Sequence, residues 1–221
     1  MEPIPAVFAN SSLEIQTLVR DRPDYWEFVL SSRLLHDILA RGRDKLACLD
    51  EGILTTPCEY LADLETCMKR SVVLMEDFKR LTGSINPILG RLMQAWGSTG
   101  EPSDPVRIYD ACGHFESAIE GIIRWETQYR ALRYPDEYKP LFAPCAGLAP
   151  SLFKAIEVLP GKLLEIVETS KKNPETRKFT FEIEYAPKVQ WDRAMHEINS
   201  MIDSYERKAK RRNSLFGFLF S

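Results

Sequence analysis

Through most of this chain, apolar residues recur at spacings of three, four and seven, a period that suits amphipathic helices and little else. Across residues 24–51, Phe28, Leu35, Ile38, Leu39, Leu46 and Leu49 keep the register, with Ile53 just beyond. Arg33, Asp37, Arg41 and Asp44 fall largely between them, so one face is apolar and the other charged. The pattern predicts a long helix ending near Gly52, where glycine can leave the helical conformation without steric cost.

The next start signal is Thr56-Pro57-Cys58-Glu59. A threonine hydroxyl caps, a proline fits the first helical position, and a glutamate at the third reaches back to the cap. A helix is therefore expected from Thr56, with Leu61, Leu64, Met68, Val72, Met75, Phe78 and Leu81 on one stripe and Gly83 closing it in a left-handed conformation. A shorter helix is expected over 87–96. Residues 97–104 read as the clearest loop. Asp104-Pro105 repeats the cap-plus-proline start and predicts a helix that stops before Pro135, with Tyr109, Cys112, Phe115, Ile119, Ile122, Ile123, Tyr129 and Leu132 along one side. Gly113 and Gly121 inside it are expected to mark close helix–helix approach. Four prolines in 134–150 predict an ordered loop, and Pro160-Gly161 is expected to split a helix over 151–169.

The period changes once. Phe179, Phe181, Ile183 and Tyr185 alternate with Thr180, Glu182 and Glu184, which predicts a strand over 178–185. Residues 12–19 alternate in the same way and are its proposed partner, with a short helix as the competing reading of that stretch. A last helix starts near Pro187, with Trp191, Met195, Ile198, Met201, Ile202 and Tyr205 on its apolar stripe. The fold class is thus mainly α: an antiparallel bundle of five to six helices with a small β element. One helical-bundle domain is expected over 1–206, followed by a basic, aromatic tail over 207–221.

Function is less constrained. The net charge of −3 argues against a dedicated nucleic-acid binder. Five cysteines without a paired framework point to a reducing compartment, and no signal-peptide pattern or membrane-spanning apolar run is read. A cytoplasmic location is expected, with peripheral membrane contact as a variant. Asp110 precedes His114 by four residues and Asp192 precedes His196 by four, but neither pair has the Glu-x-x-His spacing of di-iron bundles. Whether His36, His114 and His196 converge is not legible. No nucleophile elbow, phosphate loop or dinucleotide fingerprint occurs. Neither catalytic residues nor a metal or cofactor is therefore assigned.

Two segments stand out. The first is the tail. Residues 207–212 carry five basic groups and no acid, and Leu215, Phe216, Phe218, Leu219 and Phe220 follow at once. An apolar end is costly to leave in water, so the tail either folds back to cap the bundle core or, with Arg211 and Arg212, forms the candidate partner or membrane contact. Ser214, after Arg211-Arg212-Asn213, fits a basophilic phosphorylation site. The second segment is Arg124, Trp125, Tyr129, Arg130, Arg133 and Tyr134, a mixture of the residue types that dominate interface hot spots. The leading functional expectation is a non-enzymatic interaction module, an adaptor or regulator that binds another protein or itself. The alternatives are a membrane-acting bundle, a toxin or immune effector reaching anionic lipid through the tail, and an enzyme with a metal or small-molecule site inside the bundle. Removing the +5 of residues 207–212 from the total of −3 leaves −8, so the body is acidic and the tail basic.

Overall fold

The computed structural model describes residues 6–21, 23–53, 56–96, 104–169 and 187–219, with backbone alone at 7, 169, 187–191 and 212–219. The fold is a mainly α helical bundle with a small β element. Its elements are α1 (Leu13–Asp21), α2 (Trp26–Asp50), β1 (Glu59–Tyr60), α3 (Leu64–Gly83), α4 (Ile85–Ala95), α5 (Pro105–Ala131), β2 (Leu132–Arg133), α6 (Lys139–Phe142), α7 (Leu148–Ile156), α8 (Leu159–Thr169) and α9 (Pro187–Leu219). Six of the described helices run to eleven residues or more. Contacts group the chain into two compact units, each gathered from three stretches. The first is Met1–Ile53, Leu81–Ile123 and Ala149–Glu184; the second is Leu54–Arg80, Arg124–Leu148 and Tyr185–Ser221.

In the first unit α2 supplies the spine. Phe28, Leu35, Ile38, Leu39, Leu46 and Leu49 are buried at the spacing the sequence shows, and Gly52 ends the helix region with φ +80°. The Ser32 hydroxyl donates to the Pro160 carbonyl of α8 at 2.8 Å. Trp96 stacks on Phe28 with ring centroids 4.4 Å apart, and its indole N–H donates to Ser31 Oγ at 2.9 Å. Arg41 and Lys45 of α2 pair with Glu116 and Glu120 of α5, matching one turn against one turn. These pairs are exposed, so each contributes under about 1 kcal/mol.

Gly42 is where α2 meets its neighbours most closely. A Cβ there would lie 2.8 Å from Phe153 and 2.9 Å from Ile119, and both side chains are buried. Of the two glycines expected to mark close approach, Gly121 does so, against Leu81 at 2.8 Å, while Gly113 faces open space. Gly42→Ala is expected to cost about 1–3 kcal/mol by overpacking. Gly113→Ala is expected to gain up to about 1 kcal/mol from helix propensity alone. Chemical unfolding of the two variants checks the pair, and a stabilised Gly42→Ala would contradict this packing.

In the second unit α3 does not start at Thr56. Glu59 and Tyr60 are extended instead and pair in parallel with Leu132 and Arg133. The Leu61 N–H continues the ladder to the Arg133 carbonyl at 2.7 Å. The Glu59 carboxylate, which the sequence reading sends back to the cap, reaches Arg70 at 3.2 Å. The true cap is Asp63, whose carboxylate accepts from the Thr66 N–H at 2.8 Å and the Thr66 hydroxyl at 2.7 Å. Those bonds hold the Asp63 carboxyl below its ordinary pKa. The cap therefore contributes fully above the ordinary carboxylate range, and that contribution is lost as the pH falls below it, through the lowered value of Asp63 in the folded chain. At the other end Gly83 is not left-handed; Ser84 carries α3 directly toward α4 by bonds to the Leu81 carbonyl.

Two further expectations change. Residues 12–19 do not form a strand, because Leu13–Asp21 is helical. Ser12 Oγ accepts the Ile15 N–H, and the Gln16 amide donates to the carbonyls of Phe8, Ala9 and Ser11 at 3.0–3.4 Å, which closes the start of α1 locally. The expected strand over 178–185 lies outside the described residues. Among the described residues the β element is formed by β1 and β2, four residues in all.

The stretch Asp136–Glu168 is long and apolar enough by composition to cross a bilayer. It is folded as separate pieces of eleven residues or fewer, with Gly147 at φ +73° between α6 and α7. An eleven-residue helix is about 16 Å long, against about 30 Å of hydrocarbon. α7 and α8 part at Glu157-Val158, close to the split expected at Pro160-Gly161.

Candidate functional site

The arginine-aromatic segment separates into inside and outside once α5 is in place. Trp125 is 3% exposed and belongs to the core of the second unit. Its ring lies 4.6 Å from Phe78 and 5.8 Å from Tyr129, and its indole N–H donates to the Leu74 carbonyl at 2.7 Å. The Arg130 Nε–H donates at 2.6 Å to Glu126, whose side chain is 3% exposed. Burial pushes the Tyr129 hydroxyl up to about 12 and raises that of Tyr134, which stacks on Phe142 at 4.2 Å. Arg133 is exposed, but its guanidinium donates to the Arg130 and Leu132 carbonyls. Arg124 is exposed. The segment is thus mainly the seam that fixes the end of α5, with Arg124 and Arg133 at its surface.

The thiols and imidazoles divide as simply. Cys48 and Cys58 are exposed, while Cys67, Cys112 and Cys145 are buried. Desolvation pushes Cys112 and Cys145 up to about 12, so both stay protonated near neutrality and are poor nucleophiles. His36 lies 3.5 Å from Asp37 on α2. His114 and Asp110 share one side of α5 and line a cleft of about 290 Å³ with Arg91 of α4. Among the described residues no group of three or more possible metal ligands assembles.

α9 is different. Ile198 is buried, Met201, Ile202 and Tyr205 are half-buried, and the Tyr205 hydroxyl donates to the Glu137 carbonyl at 3.0 Å. The Tyr205 ring also meets Tyr138 edge-on at 6.4 Å. Past that anchor, residues 206–211 are all exposed. Six consecutive residues exceed one helical turn of 3.6, so every side of the helix there faces solvent. Arg207, Lys208, Lys210 and Arg211 are the cations of that turn. The helical backbone of α9 runs unbroken through position 207 to Leu219. Helical spacing places Arg211, Leu215, Phe218 and Leu219 on one side. The side chains of Arg212, Ser214, Leu215, Phe216, Phe218 and Leu219, and all of Phe220, lie outside the described residues.

A groove in the first unit escaped sequence reading. It lies between α1, α2 and α8 and has a volume of about 960 Å³. Leu13, Ile15, Leu18, Pro160 and Leu164 give it an apolar lining, and Leu13 is 75% exposed. Arg33 is held at one wall by a hydrogen bond from its guanidinium to Ser11 Oγ. The volume is at the top of the range for sites that enclose a ligand. The signal that could have found it is the amphipathic periodicity of Leu13–Asp21, which the alternating pattern concealed.

Comparison with protein-family models, with curated proteins and with solved structures finds no match to this chain.

Proposed function

We propose that this chain is a helical interaction module, an adaptor or regulator that works by docking a partner protein through the C-terminal end of α9. The observation that carries this reading is the turn 206–211, exposed on every side, basic, and followed at once by Leu215, Phe216, Phe218, Leu219 and Phe220. Five large apolar residues within the six positions 215–220 are costly to leave in water, which supports a surface meant to be covered by a partner. An amphipathic helix with a basic base and an apolar tip is suited to a groove on a partner, read at positions three and four apart. The buried indole of Trp125 and the half-buried Arg130 guanidinium, held by Glu126, draw the reading away from α5 and toward the end of α9.

The test is photo-crosslinking in cells that make the protein naturally. A photoreactive phenylalanine analogue at Phe216 is expected to capture a discrete protein partner, and the same analogue at exposed Tyr60 is expected to capture none. No specific capture at Phe216, or the same capture at Phe216 and Tyr60, would remove the reading. Liposome flotation separates the membrane alternative: salt-sensitive binding to anionic vesicles by the full chain, without protein capture, would replace the adaptor with a lipid-surface protein.

A further inference from the structure

We propose that the occupant of the α1–α2–α8 groove is the C-terminal helix end of a second copy of this chain. The inference rests on the reading of that helix end as a docking element and names its partner.

Charge and chemistry on the two surfaces match. Four carboxylates line the groove, those of Glu14, Asp21, Asp37 and Glu168, against one guanidinium, Arg33. Residues 207–212 bring five cations and no acid. Beyond the cations the tail offers Leu215, Phe216, Phe218 and Leu219, and the groove offers Leu13, Ile15, Leu18 and Leu164 to cover them. The order also agrees: a basic turn preceding an apolar turn suits a groove with an acidic rim and an apolar lining. Leu13, 75% exposed at the first position of α1, is a large apolar side chain with no cover among the described residues and a ready first contact. Acid on the body and base on the tail would also speed encounter between copies at low salt. The contact is heterologous, because tail and groove are different surfaces. Two copies that exchange tails reciprocally close into a dimer; copies that do not close extend into a chain.

The experiment uses two full-fold variants that each lack one half of the contact. One lacks residues 213–221; the other carries Leu13→Asp, an exposed position whose change leaves the core untouched. Sedimentation velocity at micromolar concentration is expected to show the parent chain above its monomer mass of 25.4 kDa, each variant alone as monomer, and their mixture as a one-to-one pair. High salt is expected to weaken the parent's association, because the rim charges are exposed. Self-association should fall by about tenfold or more in Leu13→Asp. A parent chain that stays monomeric across the range overturns the inference. So does association that survives Leu13→Asp together with Leu164→Asp yet is lost on tail deletion, which would leave the tail as a docking element with a different receptor. Circular dichroism of both variants shows that the monomers are folded.

Discussion

Trp125→Ala is expected to destabilise the protein by about 3–5 kcal/mol, the range for emptying a buried aromatic site. The indole fills the space between Phe78 and Tyr129 and ends in a hydrogen bond to the Leu74 carbonyl. Truncation leaves a cavity walled by residues that hold their own positions, and packed interiors relax only partly around such a gap. Trp125→Phe keeps most of the ring and loses the N–H donor, so its cost is expected near 1 kcal/mol. The difference between the two separates packing from hydrogen bonding. Urea unfolding followed by circular dichroism measures both. A near-neutral Trp125→Ala would mean that this tryptophan is a surface contact after all.

Arg130→Met should be as damaging, for a different reason. The Glu126 side chain is 3% exposed and one of its oxygens takes the Arg130 Nε–H at 2.6 Å. Its other oxygen has no hydrogen-bond partner among the described residues. Removing the guanidinium leaves an uncompensated buried carboxylate, which typically costs about 3–5 kcal/mol. The double variant Glu126→Met with Arg130→Met has no charge left to strand and is expected to regain most of that loss. A double-mutant cycle on chemical unfolding measures the coupling. Equal destabilisation of the single and double variants would show that Arg130 acts by packing its stem rather than by neutralising Glu126.

Both residues stood out in the sequence, where a recognition surface competes with a helix end of core aromatics and solvated arginines. Arg, Trp and Tyr make interface hot spots because they carry large apolar area and a polar end. The same chemistry serves a buried seam, and for Trp125 the choice depends on whether Leu74 and Phe78 arrive opposite it. Neither is near in sequence. Local signals fared better where nothing distant competed. Asp104 Oδ1 accepts the Val106 N–H at 2.9 Å, as the cap-plus-proline pattern implies. The same pattern at Thr56 failed because Leu132 and Arg133 offer Glu59 and Tyr60 a strand partner, while Asp63 offers α3 a better start. In 12–19 alternation and helical spacing coincide over one short stretch, and the Gln16 bonds to three carbonyls decide for the helix. The groove was hidden by that misreading, since it exists only when α1 is helical. The course of α9 was legible through Tyr205, because its stripe is regular. That the helix continues, exposed on every side, through residue 211 became visible only with its surroundings in place.

The most direct test of the central claim is the thermal unfolding of the chain lacking residues 213–221, beside the full chain. A docking element that takes no part in the core leaves the monomer's own stability alone, so in dilute, high-salt solution that keeps both chains monomeric the two midpoints are expected to agree within about 2 °C. A fall of more than about 5 °C, the size of a lost packing contribution of roughly 1.3–2.5 kcal/mol in a chain of this length, would show the apolar tip to be part of the fold and would contradict a helix end held out for a partner.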